Sequence, residues 1–313
     1  MRNLPLAVIG NVNVDLILGP ADPWPTPGTE IMVDHDELRV GGSAGNAALT
    51  WAGLGFDFQI AANTGNDRFG EWLRQEFGAK AAHWPVETTG TTLSVGITHP
   101  IGERTFFTTR GHIAALSWPA VRTMLDAERL KGGTAILCGS FLTDALASDY
   151  DLVFDWAEAH DIHIALDTGW PIDGWTQANR TRALRWLGRC HIALFNEVET
   201  TRLANSEDPS DAARALRSLM PGGATMVVKR GPLGALAAGP DNAVVSVAAP
   251  IVAVVDTIGA GDVFNAAFLG ARANGQSLQR SLEAGVRIAS RAISTVPRRY
   301  DAEGLKPATQ EVL

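Results

Sequence analysis

The chain has 313 residues, 46% of them hydrophobic and 19% charged, with a formal net charge of −8. This is the composition of a folded chain long enough to bury a large core, and it excludes a disordered or disulfide-dependent class. No lysine- or arginine-rich stripe is present to neutralise a phosphate backbone, which points away from nucleic acid as a partner. No apolar run is long enough to span a bilayer, and Pro5, Asn11, Asn13 and Asp15 interrupt the N-terminal segment where a signal sequence would be apolar. A cytoplasmic protein with no membrane partner is the expectation. Cys138 and Cys190 lie in apolar stretches at no metal-site spacing and read as two buried thiols.

Residues 6–18 are rich in Val and Ile, with Asn11, Asn13 and Asp15 at every second position, which predicts one strand that turns polar on one face. Pro20, Pro23, Pro25, Pro27 and Gly28 predict a loop. Residues 29–35 read as a short strand leading to the glycine-rich run 41–46, and 47–55 as a helix ending at glycine. The stretches 91–98 and 104–109 predict a β-hairpin around His99, Pro100, Ile101, Gly102 and Glu103. Strands at 135–141, 162–167, 192–195 and 225–229 then alternate with helices at 149–159, 176–187, from Glu197, and at 211–219 behind Pro209 and Ser210. That alternation implies a mostly parallel sheet with helices on both faces. Strands at 244–247 and 251–255, a helix from about Gly261 and a last helix capped by Ser277 complete the pattern. Neither a repeat nor a linker divides residues 1–313. One α/β domain is therefore expected, a three-layer α/β/α sandwich with a small β lid built from about 13–38 and 90–112.

Five stretches carry chemistry. In Asp256-Thr257-Ile258-Gly259-Ala260-Gly261-Asp262, small residues open a helix, so backbone amides and the helix N-terminus can hold an anion, and Asp262 stands beside them as a proton acceptor. Gly41-Gly42-Ser43-Ala44-Gly45-Asn46 lets a ligand approach the backbone, with Asn46 offering donor and acceptor. Asn13 and Asp15 share a strand face. Asn196-Glu197-Val198-Glu199 follows a strand and offers oxygen ligands suited to a hydrated hard cation, although an Asn N-cap with an acidic first turn gives the same pattern. Lys229 precedes Gly231 and Gly234 at another strand end, where an ammonium can meet phosphate.

Together these motifs resemble the ribokinase, or PfkB, family of carbohydrate kinases, in the family's order and over nearly the whole chain. All of 256–262 matches the family's D-T-x-G-A-G-D run, 41–46 its G-G-x-x-x-N run, Asn13 and Asp15 its N-x-D pair, and Asn196 and Glu199 its N-x-x-E pair. The resemblance implies an ATP-dependent kinase that phosphorylates a hydroxyl of a small sugar or sugar derivative. Asp262 is then the general base, with the amides of Gly259, Ala260 and Gly261 as anion hole. Asn13, Asp15, Gly41, Gly42, Asn46 and Arg104 hold the acceptor. Lys229, Gly231 and Gly234 hold ATP, Asn196 and Glu199 organise Mg2+, and His112 is a further candidate near the hairpin. The resemblance also allows a monovalent cation and a homodimer through the lid. Ser43 stands where ribokinases carry lysine, which points away from ribose itself. A nucleoside kinase of the same family is the alternative, with Trp24 or Phe106 to stack a base, and a non-catalytic sugar-binding regulator is a more remote one. The last helix departs from the family around Gly285, Arg287 and Arg298, which leaves the adenine contacts open.

Overall fold

A computed structural model of the chain describes residues 3–100 and 104–301. Its strands are β1 (Leu6–Gly10), β2 (Asn13–Gly19), β3 (His35–Gly41), β4 (Gln59–Ala61), β5 (Thr64–Gly65), β6 (Val86–Glu87), β7 (Leu93–Thr98), β8 (Arg104–Thr108), β9 (Thr134–Cys138), β10 (His163–Asp167), β11 (Ile192–Asn196), β12 (Thr225–Lys229), β13 (Ala235–Ala238) and β14 (Val244–Val247). Eight of them form one sheet in the order β14-β13-β12-β11-β10-β9-β1-β4. It is parallel from β4 to β12, and β13 and β14 add an antiparallel edge.

Period-two alternation sends successive residues of the central strands to opposite faces, and both faces are buried. Ala135 and Leu137 of β9 enter one core with Ile164, Leu166 and Phe195, together with Trp186 of the helix Gln177–Leu187. Ile136 and Cys138 enter the other with Val8 and Leu194, beneath the helices Ser43–Gly53 and Ala260–Ala273. Helices thus cover the sheet on both sides, as expected. Cys138 and Cys190 are buried free thiols, and burial pushes both of them up. Among the described residues no helix is long and apolar enough to cross a membrane.

A second sheet has the order β3-β2-β7-β8. Here the structure corrects three expectations. The stretch 6–18 is two strands in two sheets: the chain leaves the large sheet after Gly10, bends at Asn11 and enters the small one at Asn13. The Asn11 carbonyl accepts from Ala44 N at 3.1 Å, so the bend anchors the next helix. The strand expected at 29–35 lies instead at His35–Gly41, where alternating exposure marks a sheet edge. The apolar stretch 251–255 forms no strand. Beyond β14 it finds no partner in the sheet, and Val255 N donates instead to the Ile293 carbonyl at 2.8 Å. The hairpin of β7 and β8 is antiparallel as expected; of its loop, residues 101–103 lie outside the described residues.

In the small sheet, Asp15 pairs in register with Arg39 on one side and Ser94 on the other, and Ser94 pairs with Thr108. Neighbours in one row share a face, so Asp15, Arg39 and Ser94 stand together. By the same alternation Arg104 and Phe106 share that face. The opposite face carries the row Leu38, Leu16, Val95 and Phe107.

Candidate active site

Parallel strands that end together present their last residues to one crevice. Asp167 closes β10, Asn196 closes β11 and Lys229 closes β12. Against these ends starts the helix Ala260–Ala273, with Asp262 in its first turn. The turn before it requires Gly259, whose φ is 72° and where a Cβ would lie 2.6 Å from Asn46 Nδ2. That clearance lets Asn46 Nδ2 donate to Asp262 Oδ2 at 2.9 Å. Asn46 stands on the helix Ser43–Gly53, entered through Gly42 at φ 82°; a Cβ on Gly42 would meet the Asn11 carbonyl at 2.4 Å and Asn13 Oδ1 at 2.7 Å. Gly41 leaves the same room for Asp15, whose Oδ1 a Cβ would approach to 2.1 Å. Asn13 Nδ2 donates to Asp15 Oδ1 at 2.8 Å. Lys229 Nζ lies 3.4 Å from where a Gly261 Cβ would stand and donates to Asp167 Oδ2 at 2.6 Å. Asn46 and Asp262, separated by 216 residues, therefore meet in one place.

The carboxyls of this crevice are held away from their ordinary behaviour. Asp262 is pushed up to about 6, chiefly by burial and then by Asp167, while Asn46, Lys229 and the Ser43 hydroxyl pull it back. Asp15 is likewise pushed up to about 6 by burial, against the pull of Arg39. Burial and Asp167 raise Glu199 to about 7. Burial alone would lower Lys229, but Asp167, Glu199 and Asp262 hold it above its ordinary value.

Asn196 and Glu199 form a reciprocal cap: Glu199 N donates to Asn196 Oδ1 at 2.8 Å, and Asn196 N to Glu199 Oε2 at 2.9 Å. No group of three or more His, Cys, Asp and Glu side chains among the described residues could hold a metal by itself. The donor set is all oxygen, with Glu199 only 3% exposed, and fits a Mg2+ that keeps its water and is shared with phosphate. A monovalent cation fits less well. The loop into the helix offers Asp256 Oδ2 and the Ile258 carbonyl, and Arg298 Nη2 donates to both, at 2.6 Å to Asp256.

Beside Lys229, Asn196 and Gly261 opens a cavity of about 600 Å3. Gly231, Gly234 and Thr257 line it, together with the apolar side chains of Ile251, Val254, Phe264, Val286 and Ile293. The stretch 251–254 and the last helix thus rim the pocket; the part taken by 251–254 was not legible beforehand. Of the three amides expected to face an anion, that of Ala260 is engaged, donating to the Thr257 carbonyl at 3.1 Å. The first-turn amides of Gly261 and Asp262 have no helical carbonyl to meet. His112 is not a contact residue: it is fully buried, accepting from Thr92 N at 3.0 Å through Nδ1 and meeting the Val12 carbonyl through Nε2. Trp24 stacks on His99 at 5.2 Å.

Asp167, Asn265 and Arg39 went unread in the sequence, and Arg298 was noticed only as a departure from the family. Asp167 accepts from both Lys229 and Asn265, the latter one helical turn after Asp262. An acid closing a parallel strand just before Thr168 and Gly169 was a usable signal. Arg39 and Arg298 converge on Asp256, each at 2.6 Å. Arg104, which was expected at the site, reaches Asp256 at 3.3 Å and also donates to Thr257 Oγ1. Arg39 escaped notice because its strand had been placed six residues too early.

An α/β/α sandwich with a small sheet against one end and a glycine-opened helix at the strand ends defines the ribokinase-like fold. Solved structures agree: adenosine kinase from Sinorhizobium meliloti superposes with a TM-score of 0.80 at 22% identity, covering 96% of this chain and 97% of that one. Arabidopsis thaliana ribokinase, complexed with ribose and ATP, superposes with 0.77 at 22% identity over 96% and 97%. In sequence the chain is 26% identical over 317 positions to ribokinase from Bacillus subtilis, covering 100% of this chain and 98% of the relative. The description of the pfkB family carbohydrate kinases matches residues 4–301, and the chain belongs to that family. The enzyme class expected from the motifs, an ATP-dependent carbohydrate kinase, is met.

The raised carboxyls make a linkage prediction. Asp262 ionises near 3.8 when unfolded and about 6 when folded, so its charge withdraws stability as pH rises from about 4 to 6. Replacing it by Asn removes that penalty only where the wild-type group is charged. The Tm of D262N relative to wild type is expected to be more favourable at pH 8 than at pH 4.5, measured by calorimetry in one buffer series. A difference independent of pH would contradict the raised value.

Proposed function

We propose that the protein transfers the γ-phosphoryl group of ATP to a hydroxyl of a small sugar or sugar derivative, with Asp262 as general base. The observation that carries this reading is the Asn46–Asp262 hydrogen bond, which sets a perturbed carboxyl between the acceptor side and the glycine turn. A carboxyl near 6 is ionised at neutral pH, yet basic enough to take a hydroxyl proton as the oxygen attacks phosphorus. The new O–P bond forms as the β–γ bridge bond breaks, and ADP leaves. Asp15, Asn13, Gly41, Gly42 and Asn46 hold the acceptor, with carboxylate and amide oxygens for its hydroxyls. The free first-turn amides at Gly261 and Asp262 meet the charge of the transferring group, beside Lys229. The 600 Å3 cavity offers what a nucleotide needs, apolar side chains for the base and Lys229, Asn196 and Thr257 for the phosphates. Mg2+ on the phosphates would neutralise charge near Asn196 and Glu199. The small sheet of β2, β3, β7 and β8 acts as a lid that keeps water from the reaction.

A nucleoside acceptor is the second reading. What favours it is Phe106, 46% exposed on the face it shares with Asp15, in position to stack on a base. A non-catalytic sugar-binding regulator would have no use for a base at Asp262.

D262N is expected to lose at least about a hundredfold in kcat, read by ADP release, with KM for ATP little changed. In wild type, kcat/KM should rise with pH through about 6 to 7, where Asp262 and Glu199 ionise, and level off above. Equal turnover by D262N and wild type would sink the assignment of the base. Because Arg298 already occupies the loop's oxygens, turnover should differ by less than about twofold between potassium, sodium and tetramethylammonium salts at equal ionic strength. The outer row of the lid leaves Leu38 47% and Phe107 55% exposed, which supports a homodimer through that face. Sedimentation at micromolar concentration should give a dimer that Phe107→Asp converts to monomer.

A further inference from the structure

Three guanidiniums converge at the acceptor end of the crevice. Arg39 stands opposite Asp15 in the small sheet, Arg104 lies on the same face, and Arg298 comes from the segment after the last helix. Their side chains are 12%, 16% and 12% exposed. All three converge on one carboxylate, that of Asp256, which is already saturated. Its Oδ2 accepts from Arg39 and Arg298, and its Oδ1 faces Arg104 and accepts from Ile258 N at 2.9 Å. Glu37, at the rim, takes only Arg39 Nη1, at 3.4 Å. Nε and Nη2 of Arg39, Nε of Arg104 and Nε of Arg298 are buried and meet no acceptor among the described residues.

Buried charged donors left open by the protein must be met by water or by a ligand. Hydroxyls of a neutral sugar do not call for them, because carboxylate and amide oxygens at Asp15 and Asn13 already serve hydroxyl groups. A guanidinium is a planar fork matched to carboxylate and phosphate. Resting on the kinase reading above, we infer that the acceptor is an anionic sugar derivative, whose carboxylate or phosphate is bound by Arg39, Arg104 and Arg298. The hydroxyl to be phosphorylated lies towards Asp262, and the anionic group lies towards Asp256, under the β3 and β8 strands.

The test is an ADP-release assay with MgATP on the full chain, over neutral pentoses and hexoses, nucleosides, aldonic and 2-keto-aldonic acids, and hexose monophosphates. At least one anionic acceptor should exceed every neutral one by about a hundredfold or more in kcat/KM, because a site built around a charged partner rejects an analogue lacking it. Whether an acid or a phosphate wins identifies the group. With the best acceptor, Arg104→Gln should raise KM for the acceptor about 10- to 100-fold and leave KM for ATP unchanged. For the same acceptor with its anionic group replaced by an alcohol, Arg104→Gln should change little. Arg298→Gln provides the same comparison from a different segment if Arg104→Gln folds poorly. A neutral sugar or nucleoside used as well as any anion overturns this inference and leaves the kinase reading intact. An equal effect of Arg104→Gln on charged and uncharged acceptors overturns it too, reducing the cluster to a structural clasp. Absence of ADP release with every acceptor overturns the kinase reading and this inference together.

Discussion

One hydrogen bond, from the Asn46 amide to the Asp262 carboxylate, sets the geometry of the crevice. It joins a helix reached through the small sheet to a helix at the far end of the chain. It exists only because Gly259 has no side chain and a left-handed backbone, so the glycine turn and the asparagine must be present together. A Cβ at position 259 would strain φ and collide with the amide at once. Two motifs that look like separate turns in the sequence are in this sense one device. The same logic holds at Gly41 and Gly42, whose missing side chains admit Asp15 and Asn13.

The central strands β9 to β12 were legible because they are buried on both faces and bounded by turns, a pattern that length and flanking residues resolve. The Asn196 cap and the Ser277 cap were legible for a similar local reason. The small sheet was harder to read. From 35 to 41 the chain forms an edge strand with polar residues on one face, and burial gives it no continuous apolar signature. Placing that strand at 29–35 hid Arg39, whose meaning depends on standing opposite Asp15. The apolar stretch 251–255 misled in the opposite direction: strand propensity is satisfied only where a partner edge exists, and here the residues rim a cavity instead.

Asp167 shows a different limit. The chain places it at a strand end, but nothing local says that Lys229 and Asn265 will meet it, 62 and 98 residues away. Its partners are set by the parallel order of β10, β11 and β12, in which neighbouring strands end side by side. The resemblance to the family supplied the residues expected to touch ligands. The residues that hold them in position had to come from the fold.

Charge in the crevice is distributed unevenly, and that follows from burial. At the inner end Asp262 and Glu199 are both raised by desolvation and share Lys229 as their compensating cation. At the outer end Asp256 is held below its ordinary range: burial works against its charge, but the Ile258 amide, Arg39 and Arg298 outweigh it. One end therefore has carboxyls that gain from an incoming cation or proton, and the other has guanidinium donors that gain from an incoming anion. A polarised crevice of this kind orients a substrate before it reacts: a molecule with a negative group at one end and a hydroxyl at the other can satisfy both ends only one way round. On the reading proposed above, orientation is fixed by electrostatics at the far end of the acceptor, and the chemistry is left to a single carboxyl at the near one.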